Sequence, residues 1–316
     1  MRLVTALAGA GQTEHAEAVA DAIADPDERM RALIGTADVL VQAGEADRAM
    51  EIAARVESLA HSLTDPRPQI RALADALAAI GQFDLAEDLV DALADLPSQA
   101  WALIALANAL ATTGETERSK QLSARAEALS SSLADPTERV FAWAGIASVL
   151  ARAGQTRQAF DLATRAEHLA RSLDSPKPQE EALVRVAGAL AEAGHYDRAE
   201  TLACSLSNWY ERVDARVAVT GAMARNGLFN RAQALAIDPS TNDEHSITAH
   251  IQAMAMAGVA GAMARAGLFD RAEALAETLA DSRGGLRPHA EALVAVACAL
   301  SEDGQTERAV QMATRA

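Results

Sequence analysis

The chain has 316 residues and carries 44 acidic against 28 basic side chains, a formal net charge of −16 that repels phosphate backbones and anionic membrane surfaces. Half of the residues are apolar but only 3% are aromatic, so the interior must come from closely spaced, alanine-rich helices rather than strands. Cys204 and Cys298 are the only cysteines, too few for a disulfide framework or a zinc site, and a reducing cytoplasm is the expected setting.

No Pro/Gly/Ser-rich linker or shift in composition divides the chain, so residues 1–316 are expected to form one array with no separate catalytic domain. The most apolar window, Ala253 to Ala264, is too short to span a bilayer, and a soluble protein with no membrane partner is expected. Lys120 and Lys177 are the only lysines; with the alanine content, this bias towards arginine points to a GC-rich bacterial genome.

In chain order, one unit recurs. A first helix over Arg2 to Ala10 leads to Gly11, and Gln12-Thr13-Glu14 opens a second helix. The same setting returns at Gly44, Gly81, Gly114, Gly154, Gly194, Gly227, Gly267 and Gly304, at intervals of 33, 37, 33, 40, 40, 33, 40 and 37 residues. Four residues before each glycine stands Leu or Met, from Leu7 to Leu300. Five after it stands a small residue: Ala16, Ala49, Ala86, Ser119, Ala159, Ala199, Ala232, Ala272 and Ala309. Eight after it the side chain is aliphatic or Met, from Val19 to Met312.

Each glycine thus joins two amphipathic helices. It supplies a left-handed cap, the next helix begins with Thr or an acidic residue at its positive end, and the small residue permits close axial approach. Seven extra residues add two turns without rotating the apolar face, so the stripes Ile52 to Leu63, Leu122 to Leu133 and Leu162 to Leu173 predict three lengthened second helices. After Gly227 the pair Asp238-Pro239 arrives early, and the extra residues there enter a loop or lengthen the next helix.

The segments Gly194-His195-Tyr196-Asp197-Arg198-Ala199, Gly81-Gln82-Phe83-Asp84-Leu85-Ala86 and Gly267-Leu268-Phe269-Asp270-Arg271-Ala272 resemble the hairpin turn of a tetratricopeptide repeat (TPR). The small residues Ala74, Ala187 and Ala260, seven before their glycines, fit as well, as do Asp25-Pro26, Asp65-Pro66 and Asp135-Pro136 where a second helix stops. The resemblance covers essentially the whole chain. It departs in placing Leu or Met where the family carries an aromatic four residues before the glycine, and in stretching the family's 34-residue period to 40. It implies an all-α fold: a right-handed superhelical α-solenoid of about nine antiparallel hairpins. It also implies a protein or peptide partner on a concave face lined by first helices, and a place in a larger bacterial signalling or defence protein.

Signals for chemistry are weak. His245 and His250 lie about 140° apart on a helix, whereas zinc ligands need spacings of three or four. Gly258-Val-Ala-Gly261 lacks the Gly-Lys-Ser/Thr of a phosphate loop, and no Gly-x-Ser-x-Gly is present. Acidic residues such as Asp197, Asp270 and Glu307 precede Arg198, Arg271 and Arg308 and are read as a solvated outer face. No enzyme activity, metal or cofactor is expected.

If first helices line the groove, the residue six before each glycine projects into it: Thr5, Asp38, Asp75, Asn108, Ser148, Gly188, Gly221, Gly261 and Cys298. The N-terminal half of this row is polar and partly acidic. The later glycines make a shallow floor or let helices close upon one another. Trp101, Phe141 and Trp143 are the one aromatic concentration; Trp143 lies on the apolar stripe, whereas Trp101 and Phe141 share an off-stripe place suited to a groove. Met254, Met256 and Met263 read as core. Arg71 is followed one turn later by Asp75, which excludes the carboxylate clamp of some tetratricopeptide proteins and favours a partner segment bearing Arg or Lys.

The candidate partner-binding residues are therefore Asp38, Arg71, Asp75, Trp101, Asn108, Phe141 and Ser148, in a scaffold or sensor module that does not bind nucleic acid. The array opens in a first helix and closes in a second helix at Ala316 without polar caps. That makes a self-assembling array, oligomerising through its terminal hairpins, the alternative.

Overall fold

The computed structural model describes residues 12–42, 45–60, 83, 86–87, 90, 96–236, 246–280 and 286–315, whose regular structure is α-helix throughout. The chain divides into two compact units, residues 1–155 and 156–316. In the first unit lie α1 (Thr13–Asp21), α2 (Pro26–Gln42), α3 (Ala46–Ala60), α4 (Leu96–Thr113), α5 (Thr116–Ser131) and α6 (Pro136–Arg152). In the second lie α7 (Thr156–Arg171), α8 (Pro176–Glu192), α9 (Tyr196–Cys204), α10 (Trp209–Arg225), α11 (Phe229–Ala236), α12 (Ser246–Arg265), α13 (Phe269–Thr278), α14 (Leu286–Glu302) and α15 (Thr306–Arg315).

The glycine turns take the left-handed conformation that only glycine adopts without strain. Gly154 has φ +77° and Gly194 φ +85°, and Gly114, Gly227, Gly267 and Gly304 match them. The residue after each of these six glycines donates its N–H to the carbonyl of the Leu or Met that stands four before the glycine, as in Gln155 to Leu150 at 2.8 Å and His195 to Leu190 at 2.9 Å. One residue therefore serves twice, closing the helix with its carbonyl and filling the core with its side chain: Leu110, Leu190, Met223, Met263 and Leu300 are fully buried.

Second helices begin without side-chain caps at Gln12, Glu115, His195 and Leu268, and rely on acidic first-turn residues such as Glu117 and Asp197 near the positive end. First helices begin differently. Asp135 accepts the N–H of Thr137 at 2.8 Å, Asp25 that of Glu28 at 3.1 Å and Asn208 that of Tyr210 at 2.9 Å, with Pro26 and Pro136 opening their helices. The Asp-Pro pairs thus mark the start of a first helix as much as the stop before it. Asp65-Pro66 lies outside the described residues.

Helix lengths follow the repeat intervals. α5 and α7 have 16 residues and α3 has 15, against 9, 8, 10 and 10 for α9, α11, α13 and α15. The lengthened second helices α5 and α7 are present, and α5 ends two residues before Leu133, which is buried; α3 is described to Ala60, and Leu63 lies outside the described residues. After Gly227 part of the added length enters the following helix, α12, which has 20 residues where α10 and α14 have 17. Asp238 and Pro239 lie outside the described residues.

Close packing depends on the small residues. Ala16, Ala49, Ala86, Ala159, Ala199, Ala232 and Ala272 have no exposed surface, and Ser119 donates its hydroxyl to the carbonyl of Ala107 on the facing helix at 2.7 Å. Within each unit described helices such as α2 and α3, α4 and α5, or α8 and α9 pack together, and first helices also pack directly on the next first helix: α4 on α6, α8 on α10, α10 on α12 and α12 on α14. The chain is a TPR-like, all-α array of helical hairpins.

A second row of contacts closes the turns between hairpins. Arg29 donates to the carbonyl of Ile23 at 2.8 Å, Arg139 to Leu133, Gln179 to Leu173 and Arg212 to Leu206 at 2.9 Å. Each of these side chains stands fifteen residues before its glycine and reaches six residues back to a carbonyl that the preceding helix or turn leaves unpaired.

Candidate partner-binding face

In the first unit the face is built where α4 meets α6. Gly145 lets the two helices approach: a Cβ there lies 3.3 Å from Ile104 Cγ2 and 3.9 Å from Cζ3 of Trp101. Trp101 and Phe141 stand thirteen residues before their glycines, on α4 and α6, and both are half-buried, whereas Trp143 is buried in the core. Asn108 is also half-buried, and its Oδ1 accepts from the Arg152 guanidinium across the α4–α6 contact. Half-buried Ser148 donates to the carbonyl of Ala144 on its own helix at 3.1 Å. Asp38 is a helical residue of α2. Arg71 and Asp75 lie outside the described residues.

In the second unit the glycines of the same row are used for closure. Gly188 faces Ala218 on α10, with 3.4 Å between Cβ positions, and Gly261 faces Ala295 on α14 at 3.1 Å. Gly221 is instead covered by the guanidinium of Arg225 one turn later, which pairs with Glu192 on α8. Cys298, like Cys204, is exposed. Met263 is core as expected, while Met254 and Met256 are only half-buried.

At the place held by Trp101 and Phe141, α8 and α10 carry Glu181 and Asp214. Close by, Trp209 and Tyr210 form an edge-to-face pair with centroids 5.9 Å apart, and both are more than two-fifths exposed. The aromatic residues of the first unit are therefore not the one concentration in the chain. Beside the pair, Glu211 is buried, and burial together with the carboxylates of Glu181, Asp214 and Glu180 pushes its pKa above the ordinary glutamate range, against a smaller opposing effect of Lys177.

The outer face differs from the sequence expectation in its pairing. Arg198 does not pair with Asp197 beside it but reaches Glu167 on α7 at 2.7 Å, also lying over the Phe160 ring. Arg231 pairs with Glu200 at 2.7 Å and Asp197 at 2.5 Å, and those hydrogen bonds hold its pKa above the usual arginine value. Arg308 pairs with Glu273 and Asp270, Arg48 with Glu17 and Arg118 with Glu87. The partners lie on the preceding second helix, 31 to 38 residues back. First helices touch directly; second helices are clasped by the arginines that stand four residues after Gly44, Gly114, Gly194, Gly227 and Gly304.

No family model matches this sequence, and no curated protein matches it either. Structural comparison aligns 99% of the chain with 93% of a Rap protein complexed with Competence and Sporulation Factor, at 15% identity and TM-score 0.43. Ton1535 from Thermococcus onnurineus NA1 aligns over 98% of this chain and 93% of its own, at 18% identity and TM-score 0.39. A signal transduction ATPase with numerous domains that carries a tetratricopeptide repeat sensor, from Pyrococcus horikoshii, aligns over 97% of this chain and 52% of its own, at 12% identity and TM-score 0.37.

Among the described residues no group of three His, Cys, Asp or Glu side chains is placed to hold a metal ion, and no helix is long and apolar enough to cross a membrane. What the faces offer is contact chemistry: aromatic surface beside hydrogen-bonding groups in the first unit, and aromatic surface beside carboxylates in the second.

Proposed function

We propose that the chain is a non-enzymatic scaffold or sensor module that holds a peptide or protein along its first-helix face, with Trp101, Phe141, Asn108 and Ser148 as the contact residues of the first unit. The observation that carries this reading is the register of Trp101 and Phe141. Two large aromatics stand at the same place on adjacent first helices and stay half-exposed, while the apolar stripe beside them is filled by Leu103, Ile146 and Trp143. Aromatic side chains held on rigid helices supply contact area at low entropic cost. In this reading Asp38 and Asp75 give the groove an acidic entrance suited to a segment bearing Arg or Lys, and neither nucleic acid nor a membrane is a partner.

The test is affinity capture from native extract with the wild-type chain, Trp101→Ala and Phe141→Ala side by side. A protein retained by the wild type and lost from both variants supports the scaffold. Equal retention by all three refutes it.

One observation favours the alternative of a self-assembling array. Val294 of α14 is 50% exposed where the corresponding Ile104, Ala144 and Val184 of other first helices are buried, and Val310 of α15 is 57% exposed. Sedimentation velocity across a concentration series decides: assembly that Val310→Glu abolishes selects the array, and a monomer at every concentration removes it.

A further inference from the structure

The seam between α4 and α6 in the first unit presents hydrogen-bond donors that the fold itself does not use. On α4, Trp101, Ala105 and Asn108 stand four and three residues apart, which puts them in line on one helix face, and all three are half-buried. On α6, Gly145 and Ser148 are half-buried as well. A Cβ placed on Gly145 lies 3.9 Å from Cζ3 of Trp101, so the benzo edge of the indole rests against bare backbone. Cζ3 is opposite the ring carbon that bears Nε1, and the N–H edge therefore points away from that contact. Neither Trp101 Nε1 nor the Asn108 amide nitrogen donates to an acceptor among the described residues, and neither is sealed from solvent.

Asn108 is oriented across the seam. Its Oδ1 accepts from the Arg152 guanidinium, which leaves Nδ2 as the end open to a ligand. Ser148 spends its hydrogen on the carbonyl of Ala144 at 3.1 Å. The indole is a donor and never an acceptor. Trp101 and Asn108 together thus offer N–H groups and no spare acceptor, and a ligand that complements them brings carbonyls without matching donors.

Spacing narrows the choice further. Seven residues of helix separate the two donors, about 10.5 Å at 1.5 Å per residue. Between them the floor is Ala105 and Gly145, which have no side chain beyond Cβ. A polyproline II segment repeats every three residues, about 9.3 Å at 3.1 Å per residue, and its backbone makes no internal hydrogen bonds. Two of its carbonyls one repeat apart therefore meet both donors. Proline also lacks an N–H, and its ring packs on an aromatic face. An ordinary extended segment brings one N–H for every carbonyl and finds no acceptor for it on Trp101 or Asn108. None of Trp101, Ala105, Asn108, Gly145 and Ser148 is ionisable, so recognition along this line does not depend on charge.

We propose that Trp101, Asn108 and the floor of Ala105 and Gly145 form a site for a proline-rich segment of a partner protein in the polyproline II conformation. The inference rests on the scaffold reading and names the partner chemistry of its first-unit face. The indole packs on a proline ring and donates Nε1–H to one carbonyl, and Asn108 donates Nδ2–H to the carbonyl three residues along. Gly145 is a positioning residue. A Cβ there already lies 3.3 Å from Ile104 Cγ2, so a larger side chain displaces the indole from its seat.

The test is a fluorescence-anisotropy titration of the full chain with labelled, end-blocked nonaproline, beside an uncharged Gly/Ser peptide of the same length, at low and high salt. Nonaproline is expected to bind saturably and alike at both salt concentrations, and the Gly/Ser peptide not to bind. Trp101→Phe keeps an aromatic ring and removes only the donor, and Asn108→Asp keeps the acceptor for Arg152 while removing Nδ2–H. Each is expected to weaken nonaproline about fivefold. Trp209→Phe, in the other unit, is the control and is expected to change binding less than about twofold. Absence of saturable binding overturns the site, as does equal binding of the Gly/Ser peptide, or binding that neither Trp101→Phe nor Asn108→Asp weakens. Both substitutions are near-isosteric and circular dichroism verifies that the variants fold. Loss of a captured partner on Trp101→Ala and Phe141→Ala, with no binding of nonaproline, sinks this site and leaves the scaffold reading standing.

Discussion

A buried carboxylate crowded by others sets up a pH dependence, and Glu211 carries one of predictable sign. Its folded pKa is raised above the unfolded value, first by burial and then by Glu181, Asp214 and Glu180. A raised acid pKa means that the folded state holds the proton more tightly, so the associated stability is present at pH below about 4.3 and is lost as pH rises through the folded value. Glu211→Gln removes that loss. Thermal melts are expected to show the variant equal to wild type near pH 4 and more stable at pH 7, and a wild type that is the more stable at pH 7 would contradict the assignment. A glycine gives a second prediction at this scale. Gly194 has φ +85° and nothing within 4 Å of a Cβ placed on it, so Gly194→Ala meets no steric clash and costs only the left-handed backbone penalty, about 1 kcal/mol. Urea unfolding is expected to show a lower midpoint with an unchanged slope.

Between elements, the clasp of α9 on α7 is concentrated in Arg198, which touches Thr164, Glu167 and the Phe160 ring. Glu167 is buried and shared with Arg171 of its own helix at 2.7 Å. Arg198→Ala strips the inter-helix half of this arrangement and is expected to cost about 1–2 kcal/mol, whereas Arg171→Ala, which removes an exposed guanidinium from a pair within one helix and leaves Glu167 its bond to Arg198, is expected to cost about 0.3–0.5 kcal/mol. Equal losses in denaturant titrations would deny the clasp its role. The clasp was not legible in the sequence, although its arginines recur four residues after five of the glycines, because each partner lies more than thirty residues away on another hairpin. Asp197, beside Arg198 in sequence, belongs instead to Arg231. What was legible is local: the left-handed glycine, the Leu or Met whose carbonyl it caps, and the seven added residues that lengthen α5 and α7. The row of Arg29, Arg139, Gln179 and Arg212 is not legible in the sequence because two residue types share one task, reaching a carbonyl six residues back. At the candidate sites, Trp101 and Phe141 stood out as aromatics off the apolar stripe. Trp209 and Tyr210 sit at a helix start where the stripe has no phase to violate, and Glu181 and Asp214 passed for ordinary solvated acids.

At the largest scale, an array of hairpins that pack on their neighbours within a unit distributes stability as a sum of local and nearest-neighbour contributions. Within the second unit α8 packs on α7, α9 and α10, and α10 in turn on α11 and α12. Damage at one hairpin therefore weakens the hairpins beside it and fades with distance. Ala199 is the place to apply it, since it is fully buried on α9, which packs on α8 and is only nine residues long. Ala199→Leu inserts three carbons where no space exists, which forces the helices apart at a cost of about 1–3 kcal/mol. Hydrogen exchange followed peptide by peptide reads the consequence. Protection is expected to fall most in α8 and α9, less in α7 and α10, and little in α14 and α15. A uniform fall across the second unit would mean that it unfolds as one cooperative block, and the nearest-neighbour account of its stability would then be wrong even though every hairpin is placed as the repeat requires.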